Sequence, residues 1–384
     1  MIKCITQKVF APNSNAIIRV DFNVPLGIDY KILDYSRLES AKNSINLLLK
    51  NCKRVLLLSH FGRPKGKYTK ELSLANIVSQ ISKYYGVEII FINSLNELND
   101  KEGLVLLENT RFFPEEEKND QYFARTLAQH AELYVNEAFS CSHRAHASLH
   151  AITNYLESYA GTYCFNEITA LERISLEKNK DIIAIIGGSK ISSKIGVLRN
   201  LFKKVRLVAI GGAMANTFLK AKGIEIGSSL YEPESLDIAS EILSSYKILL
   251  PIDVVCKNNN SITIKDIHSV EDGDCIMDIG PRSCIEICSA IKNTQSVIWN
   301  GPMGKFEEPE FIDGTRLIAK FISSLNDSIY SVVGGGDTLA ALSLLNIKLA
   351  FSHVSTAGGA FLEWMEKGSL PCIDMLKISK TTKT

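Results

Sequence analysis

Several common signals are missing from this sequence, and each absence removes a class of protein. No run approaches the 18 or more apolar residues of a membrane span, so no membrane association is expected. The opening residues, MIKCITQKVFAPNS, lack the apolar core of a signal peptide, which points to a cytoplasmic protein. Formal net charge is only +1, so bulk electrostatics give no case for nucleic acid or an anionic lipid surface. The nine cysteines are an odd number and form no C-x-x-C pair; Cys284 and Cys288 are four apart. Free thiols in a reducing compartment follow, and a zinc cluster does not. The stretch LLLSHFGRPKGK (56–67) begins like a phosphate loop. Yet only three residues separate Gly62 from Gly66, and Tyr68 follows Lys67. A Walker A loop needs four residues there and a Ser or Thr after the Lys. Nor does a G-x-G-x-x-G follow any strand with an acidic residue about twenty positions on, which removes the support for a nicotinamide-dependent dehydrogenase.

What is present is an alternation of apolar, strand-like runs with helical patterns over 384 residues, enough for about two domains. The runs in the first half are NAIIRVDF, RVLLLSH, VEIIFIN, GLVLLEN and ELYVNEAF. Those in the second are DIIAIIGG, RLVAIGG, ILLPIDVV, CIMDIG, SVIWNGP, YSVVGGGD and FSHVSTAGG. Continuously apolar strands between helices predict parallel sheets covered on both faces. The reading is α/β, with two doubly wound parallel-sheet domains joined by a helical hinge. The first domain is placed at 1–160, the hinge helix at 161–180 and the second domain at 181–369. Phe165, Ile168, Leu171 and Ile174 recur at helical spacing in the hinge. The acidic run PEEEKND (114–120) reads as a solvated helix start, and the polar end KISKTTKT as a fraying tail.

Ligands of open α/β sheets bind beyond the carboxyl ends of the strands. In the first half those ends carry cations: Asp21 and Asn23, then Arg37; His60 and Arg63; Arg111; and His143, Arg144 and His146. Four cationic strand ends on one sheet edge would make an anion site, since Arg offers paired donors to phosphate or carboxylate. His143 and His146 form an H-x-x-H, but no third ligand is near in sequence, so zinc is a weak reading. Cys141, beside two His, is the candidate for a reactive thiol.

In the second half the strand ends carry glycine: Gly187-Gly188 before Lys190 and Lys194, Gly211-Gly212, Asn300-Gly301-Pro302 before Glu307, Gly334-Gly335-Gly336 before Asp337-Thr338, and Gly358-Gly359. Glycine admits close backbone approach, and helix N-termini offer free N–H groups to phosphates. Together with two lysines and a carboxylate suited to Mg²⁺, this reads as a nucleotide triphosphate site.

With these residues in view, the chain resembles the 3-phosphoglycerate kinase family over essentially its whole length. The matching motifs, in order, are VDFNVPL, SHFGRPKGK, LLENTRF, EEEKND, HRAHAS, GGSKISSKIGV, GGAMANTFLK, LPIDVV, DIGP, WNGPMG, GGGDT and STAGG. The resemblance implies two Rossmann-like domains. It implies phosphoglycerate or bisphosphoglycerate held by Asp21, Asn23, Arg37, His60, Arg63, Arg111 and Arg144 of the first domain. It implies Mg-ADP or Mg-ATP held by Lys194, Gly211, Gly212, Asn300, Pro302, Glu307, Gly334, Gly335, Gly336, Asp337 and Thr338, with Asp337 near the metal. Catalytic roles fall on Arg37, Lys190, Gly335 and Gly358. A monomer is implied, with the tail 370–384 packed on the first domain. Departures from the family pattern are Glu137, Ser140-Cys141-Ser142, Thr110, Ser193, Lys305 and Ala357; an Ala at a position needing positive φ would be strained.

The implied reaction moves a phosphoryl group between ATP and a carboxylate that is already ionised at neutral pH, so it needs no general base. Positioning and charge neutralisation are what it needs. Because the two ligand sets lie in different halves, hinge closure is expected. Rival readings are a kinase for a smaller acyl phosphate, which would need fewer arginines, and a nucleotide-binding homologue without turnover.

Overall fold

The computed structural model describes residues 2–175, 181–325 and 327–378. The chain forms two compact units, residues 1–169 with 369–384, and residues 170–368. Positions 176–180 of the expected hinge helix and 379–384 of the tail lie outside the described residues.

Unit 1 is built on β1 (Asn15–Arg19), β2 (Arg54–Leu58), β3 (Ile89–Ile92), β4 (Gly103–Leu107), β5 (Leu133–Asn136) and β6 (Glu157–Ala160). All neighbours pair parallel, in the order β3-β4-β2-β1-β5-β6. The continuous apolar runs have a simple cause. Ala16, Ile18, Val55, Leu57, Leu104 and Leu106 enter a cluster on one face. Ile17, Leu56, Leu58, Val105 and Leu107 enter another on the opposite face. Successive side chains point to opposite faces of a sheet, so burial of both faces demands apolar residues at every position. The strand order reverses beside β1, where one connection leads to β2 and the other side of β1 is taken by β5.

Unit 2 carries β7 (Ile182–Ile186), β8 (Leu207–Ile210), β9 (Ile248–Leu249), β10 (Asp253–Asn258), β11 (Ser261–Asp266), β12 (Cys275–Ile279), β13 (Ser296–Asn300), β14 (Tyr330–Gly334) and β15 (His353–Ser355). Six of these form a parallel sheet in the order β15-β14-β13-β7-β8-β9. Both tryptophans, Trp299 and Trp364, are buried in this unit. The two doubly wound parallel sheets expected from the sequence are present. Two of the expected strands behave differently, however. ILLPIDVV divides at Pro251 into β9 and β10, and β10 joins β11 and β12 in a separate antiparallel sheet. Pro has no N–H to continue a ladder, and Asn259 at φ 51° makes the tight β10–β11 reversal.

The helix Thr162–Ser175 starts in unit 1 and runs into unit 2. Its first turn is capped from a distance by Glu137, just after β5. That buried carboxylate accepts from the Tyr163 N–H (3.1 Å), the Cys164 N–H (3.0 Å) and the Ser44 hydroxyl (2.7 Å). Ser44 in turn accepts from the Thr162 N–H at 2.8 Å. The last described helix, Pro371–Ile378, belongs to unit 1. Its Cys372 donates from N–H to the Ser142 carbonyl (3.2 Å) and from Sγ to the Arg144 carbonyl (3.1 Å). The acidic run behaves differently from its expectation. Glu116 is fully buried and accepts from both the N–H (2.9 Å) and the hydroxyl (2.6 Å) of Ser148, so that segment is anchored to the loop after β5.

Candidate active site

In unit 1 the cationic residues do gather at the carboxyl edge of the sheet, where the strand order reverses. Asp21, after β1, is ion-paired with Arg37 and accepts from the Ser140 hydroxyl at 2.6 Å. Its other oxygen accepts from the Asn23 N–H at 3.1 Å, while the Asn23 side chain accepts from the Gly62 N–H at 3.0 Å. Arg111 donates to the Gly62 carbonyl at 2.7 Å and pairs with Glu117. His60, buried after β2, has Nδ1 3.8 Å from Asp21 Oδ1 and 3.4 Å from the Arg19 guanidinium. Arg144 donates to His143 Nε2 at 3.1 Å, and Arg63 is exposed on the loop after β2. Thus Asp21, Asn23, Arg37, His60 and Arg111 form one contact network through Gly62, and Arg63 and Arg144 stand on the same loops outside it.

The electrostatics of this edge are those of surplus positive charge. Burial, then the guanidinium of Arg19, lowers the proton affinity of Arg111. Burial also drives His60 well below the usual imidazole range, with Arg19, Arg111 and Arg37 adding to burial and outweighing Asp21, so the ring is neutral at pH 7. His146 falls to about 3 through burial and then Arg111, Arg19 and Arg144. Asp21 goes the opposite way. Burial would raise it, but the positive charge beside it and the Ser140 hydroxyl outweigh burial and hold it below the usual carboxylate range. With the imidazole neutral, Arg37 and Ser140 are what keep that carboxylate ionised.

Sequence reasoning missed Arg19 and Ser140. Arg19 is fully buried under His60 and held by Ser148 Oγ at 2.9 Å. A lone arginine inside the apolar run NAIIRVDF was the available signal, because a charge is buried only where partners await it. Ser140 carried no such signal.

In unit 2 the strand order reverses between β7 and β13, and the glycine clusters meet there. The Gly187 N–H donates to the Asn300 carbonyl (2.9 Å), the Gly188 N–H to the Pro302 carbonyl (3.2 Å) and the Gly212 N–H to the Met303 carbonyl (2.8 Å). Thr338 Oγ1 accepts from the Gly301 N–H at 2.7 Å and donates to the Gly334 carbonyl at 2.9 Å. The Asn300 amide donates to that same carbonyl at 2.8 Å. Gly212 has φ 65°, and a Cβ there would lie 2.6 Å from the Gly188 carbonyl oxygen. Gly335 has φ 101°, and a Cβ there would lie 2.3 Å from the Asn300 amide nitrogen. Any side chain would force these strand ends apart.

Above this floor lies a cavity of about 420 Å³, whose lining includes Gly188, Gly212, Pro302, Phe306, Glu307 and Asp337. Helices begin at Ala213, Gly336 and Gly359, within a few residues of the ends of β8, β14 and β15, and another begins at Ile195 after the longer loop that follows β7, so their unbonded N–H groups lie beyond the carboxyl ends of these strands. Asp337 is exposed in the first turn of the helix Gly336–Leu344, and Lys190 is exposed after β7. Lys194 Nζ donates to the Gly187 carbonyl at 2.7 Å; burial, partly offset by Asp337, lowers its pKa to about 8. Gly211 is buried against Met303 beneath the cavity, and Gly358 caps the helix Gly359–Lys367. Ala357 does not have positive φ, so the strain considered for it is absent.

A family model described as phosphoglycerate kinase matches residues 7–368. The chain belongs to the phosphoglycerate kinase family. Curated relatives agree. The phosphoglycerate kinase of Pseudothermotoga lettingae is 40% identical, with 97% of this chain and 98% of that one covered. That of Caulobacter vibrioides is 42% identical, with 94% and 96% covered. Among solved structures, phosphoglycerate kinase from Coxiella burnetii matches with a TM-score of 0.91 at 37% identity, covering 99% of this chain and 100% of the other. Phosphoglycerate kinase from Pyrococcus horikoshii matches with a TM-score of 0.82 at 27% identity, covering 99% of both. Among the described residues no helix is long and apolar enough to cross a membrane.

Proposed function

We propose that this chain catalyses the reversible, Mg²⁺-dependent transfer of the acyl phosphate of 1,3-bisphosphoglycerate to ADP, giving ATP and 3-phosphoglycerate, a step of glycolysis and gluconeogenesis. The observation that carries the reading is a pair of unlike sites, each at the strand-order reversal of its own sheet. One is an arginine network with surplus positive charge; the other is a glycine-floored cavity ringed by helix N-termini. The first suits a doubly anionic small acid, the second a nucleotide.

In this scheme Arg63, Arg111 and Arg144 neutralise the phosphate and carboxylate of the phosphoglycerate. Neutral His60 offers a hydrogen bond without adding charge, and Asp21 with Asn23 receives the substrate hydroxyl. Gly211 and Gly212 leave room for the base beside Pro302, and Glu307 takes the ribose. Lys194 and the segment Gly334 to Thr338 receive the phosphates at the helix N-termini. The exposed carboxylate of Asp337 on the cavity wall fits Mg²⁺, which takes one or two carboxylates plus phosphate oxygens and water; the ion would neutralise phosphate charge.

Chemistry then needs no proton transfer, because the accepting carboxylate is ionised at pH 7. Arg37, Lys190 and the N–H groups following Gly335 and Gly358 balance charge on the phosphoryl group in flight. Direct in-line transfer requires reacting oxygens within ~3–3.5 Å of the phosphorus, so we propose closure of the two units about the helix Thr162–Ser175. The test is turnover of 3-phosphoglycerate, ATP and Mg²⁺, coupled to NADH oxidation by added glyceraldehyde-3-phosphate dehydrogenase. Turnover that vanishes when either 3-phosphoglycerate or Mg²⁺ is omitted is expected. A folded, ATP-binding sample without turnover would refute the proposal.

A further inference from the structure

Cys141 has no part in phosphoryl transfer, yet it completes a three-donor group. Its Sγ lies 3.8 Å from His60 Nδ1, which lies 3.8 Å from Asp21 Oδ1, and all three donors fall within 4.8 Å of one another. They come from three loops, after β5, β2 and β1, and all three residues are buried, at 7%, 5% and 7% exposure. The loops are tied down. Ser140 and the Asn23 N–H hold Asp21, and the Phe22 N–H donates to Ser59 Oγ at 2.9 Å. Cys141 packs with Ala138, Leu149 and Cys372.

We infer that Asp21, His60 and Cys141 form a chelating site for a thiophilic divalent cation of the zinc and cadmium class, and that its occupation closes the anion site. A tetrahedral ion with bonds of about 2.0 Å to nitrogen and oxygen and about 2.3 Å to sulfur has donor–donor edges of about 3.3–3.5 Å. The two edges that meet at His60, each 3.8 Å, need to shrink by only a few tenths of an ångström, and the third, between Cys141 Sγ and the Asp21 carboxylate, starts within 4.8 Å. Thiolate and imidazole donors select against Mg²⁺, which prefers oxygen. On binding, the Cys141 S–H proton passes to solvent and the thiolate donates to the metal. Burial holds the free thiol at about 11, and a coordinated thiol is deprotonated outright. Thiolate and carboxylate together balance the dication. The dication repels Arg37, which is paired to the other Asp21 oxygen; the arginine side chain is 39% exposed and has solvent to turn into. The Arg19 guanidinium, 3.4 Å from His60 Nδ1, gives up a long contact. The fourth position falls to water. H-x-x-H thus takes no part; the metal donors are separated by up to 120 positions in the chain and were invisible as a spacing.

Closure of the anion site follows if Asp21, Arg37 and His60 hold phosphoglycerate, and that part rests on the function proposed above. The test separates the two. Full-length protein freed of metal by a chelator is titrated with Cd²⁺, without substrates, and the ultraviolet sulfur-to-cadmium charge-transfer absorbance is followed. We expect one tight equivalent in the wild type, weakened at least about tenfold in Cys141→Ala and Cys141→Thr and retained in Cys372→Ala. A tight phase that survives both Cys141 variants overturns the site. Should those variants not fold, His60→Asn must lose the tight phase with the thiol intact, and its persistence there overturns the site equally. 3-Phosphoglycerate should release the bound Cd²⁺, and Zn²⁺ should raise the KM for 3-phosphoglycerate in the wild type but not in Cys141→Thr. Cys141-dependent binding in a chain without turnover would uphold the site and count against the reaction.

Discussion

Removal of the Glu137 carboxylate should weaken unit 1, and by an amount that changes with pH in a fixed direction. Glu137→Ala leaves the N–H groups of Tyr163 and Cys164 without their acceptor, whereas Ser44 keeps Thr162 Oγ1 within 3.2 Å. A buried donor left unpaired costs about 1–3 kcal/mol, so two give roughly 3 kcal/mol at the lower end of a mildly acidic range. Burial, opposed by the bonds from Cys164, Ser44, Tyr163 and Thr162, raises this carboxyl from an ordinary 4.5 to about 6. A folded pKa above the unfolded one means that the folded state binds more protons. The stability it contributes is therefore full below the unfolded pKa and lost as pH rises through 6. Between about pH 5 and pH 7.5 the wild type loses about 1 kcal/mol through this group, and the variant does not. The destabilisation by Glu137→Ala should thus shrink from about 3 to about 2 kcal/mol over that interval. Urea unfolding followed by far-ultraviolet circular dichroism at both pH values measures it. Tryptophan emission should respond less, since Trp299 and Trp364 both lie in unit 2. A penalty that stays constant or grows with pH would refute the argument that burial opposes this charge.

Lys190→Ala should lower kcat at least about 100-fold with little change in KM, whereas Arg63→Ala should chiefly raise the KM for 3-phosphoglycerate about tenfold; steady-state kinetics showing the reverse split would reverse the roles. Gly212→Ala combines a positive φ with a Cβ placed 2.6 Å from the Gly188 carbonyl oxygen, and should cost about 2 kcal/mol or more in unfolding free energy while weakening ATP binding, read by thermal melts and calorimetric titration. Asp337→Asn should leave nucleotide binding without Mg²⁺ nearly unchanged and raise the Mg²⁺ concentration needed for half-maximal turnover about tenfold or more.

The parts of this protein that were legible in its sequence are those where one position carries one physical demand. Sheets buried on both faces need apolar residues at every strand position, so Ile17 and Ile18 announce β1 although they serve different clusters. Arg, Lys and Gly gathered after strands are uncommon unless a ligand or a close backbone approach calls for them, so Arg37, Arg111, Gly187 and Gly335 stand out. Illegible were contacts made by common residues across long separations. Nothing in ELYVNEAFSCS says that Glu137 caps a helix 25 positions on or that Ser140 bonds Asp21. PEEEKND looks wet because two of its three consecutive glutamates, Glu115 and Glu117, are exposed; only the tertiary fold buries Glu116 against Ser148. The antiparallel sheet of β10, β11 and β12 was hidden for another reason. Period and apolarity identify a strand, but its partner depends on where Pro251 releases the chain.

The return of the helix Pro371–Ile378 to unit 1 has a consequence for synthesis. Residues 170–368 are, in effect, an insertion into unit 1. As the chain leaves the ribosome, every residue of unit 2 is available before Cys372 can reach the carbonyls of Ser142 and Arg144. The later-encoded unit can therefore finish folding first, while the earlier one waits for its last helix. The loop that carries Ser140, Cys141 and Arg144 is the last piece to gain its full backing. A nascent chain halted after unit 2 would hold the complete glycine-floored cavity and an arginine-rich edge still missing its support.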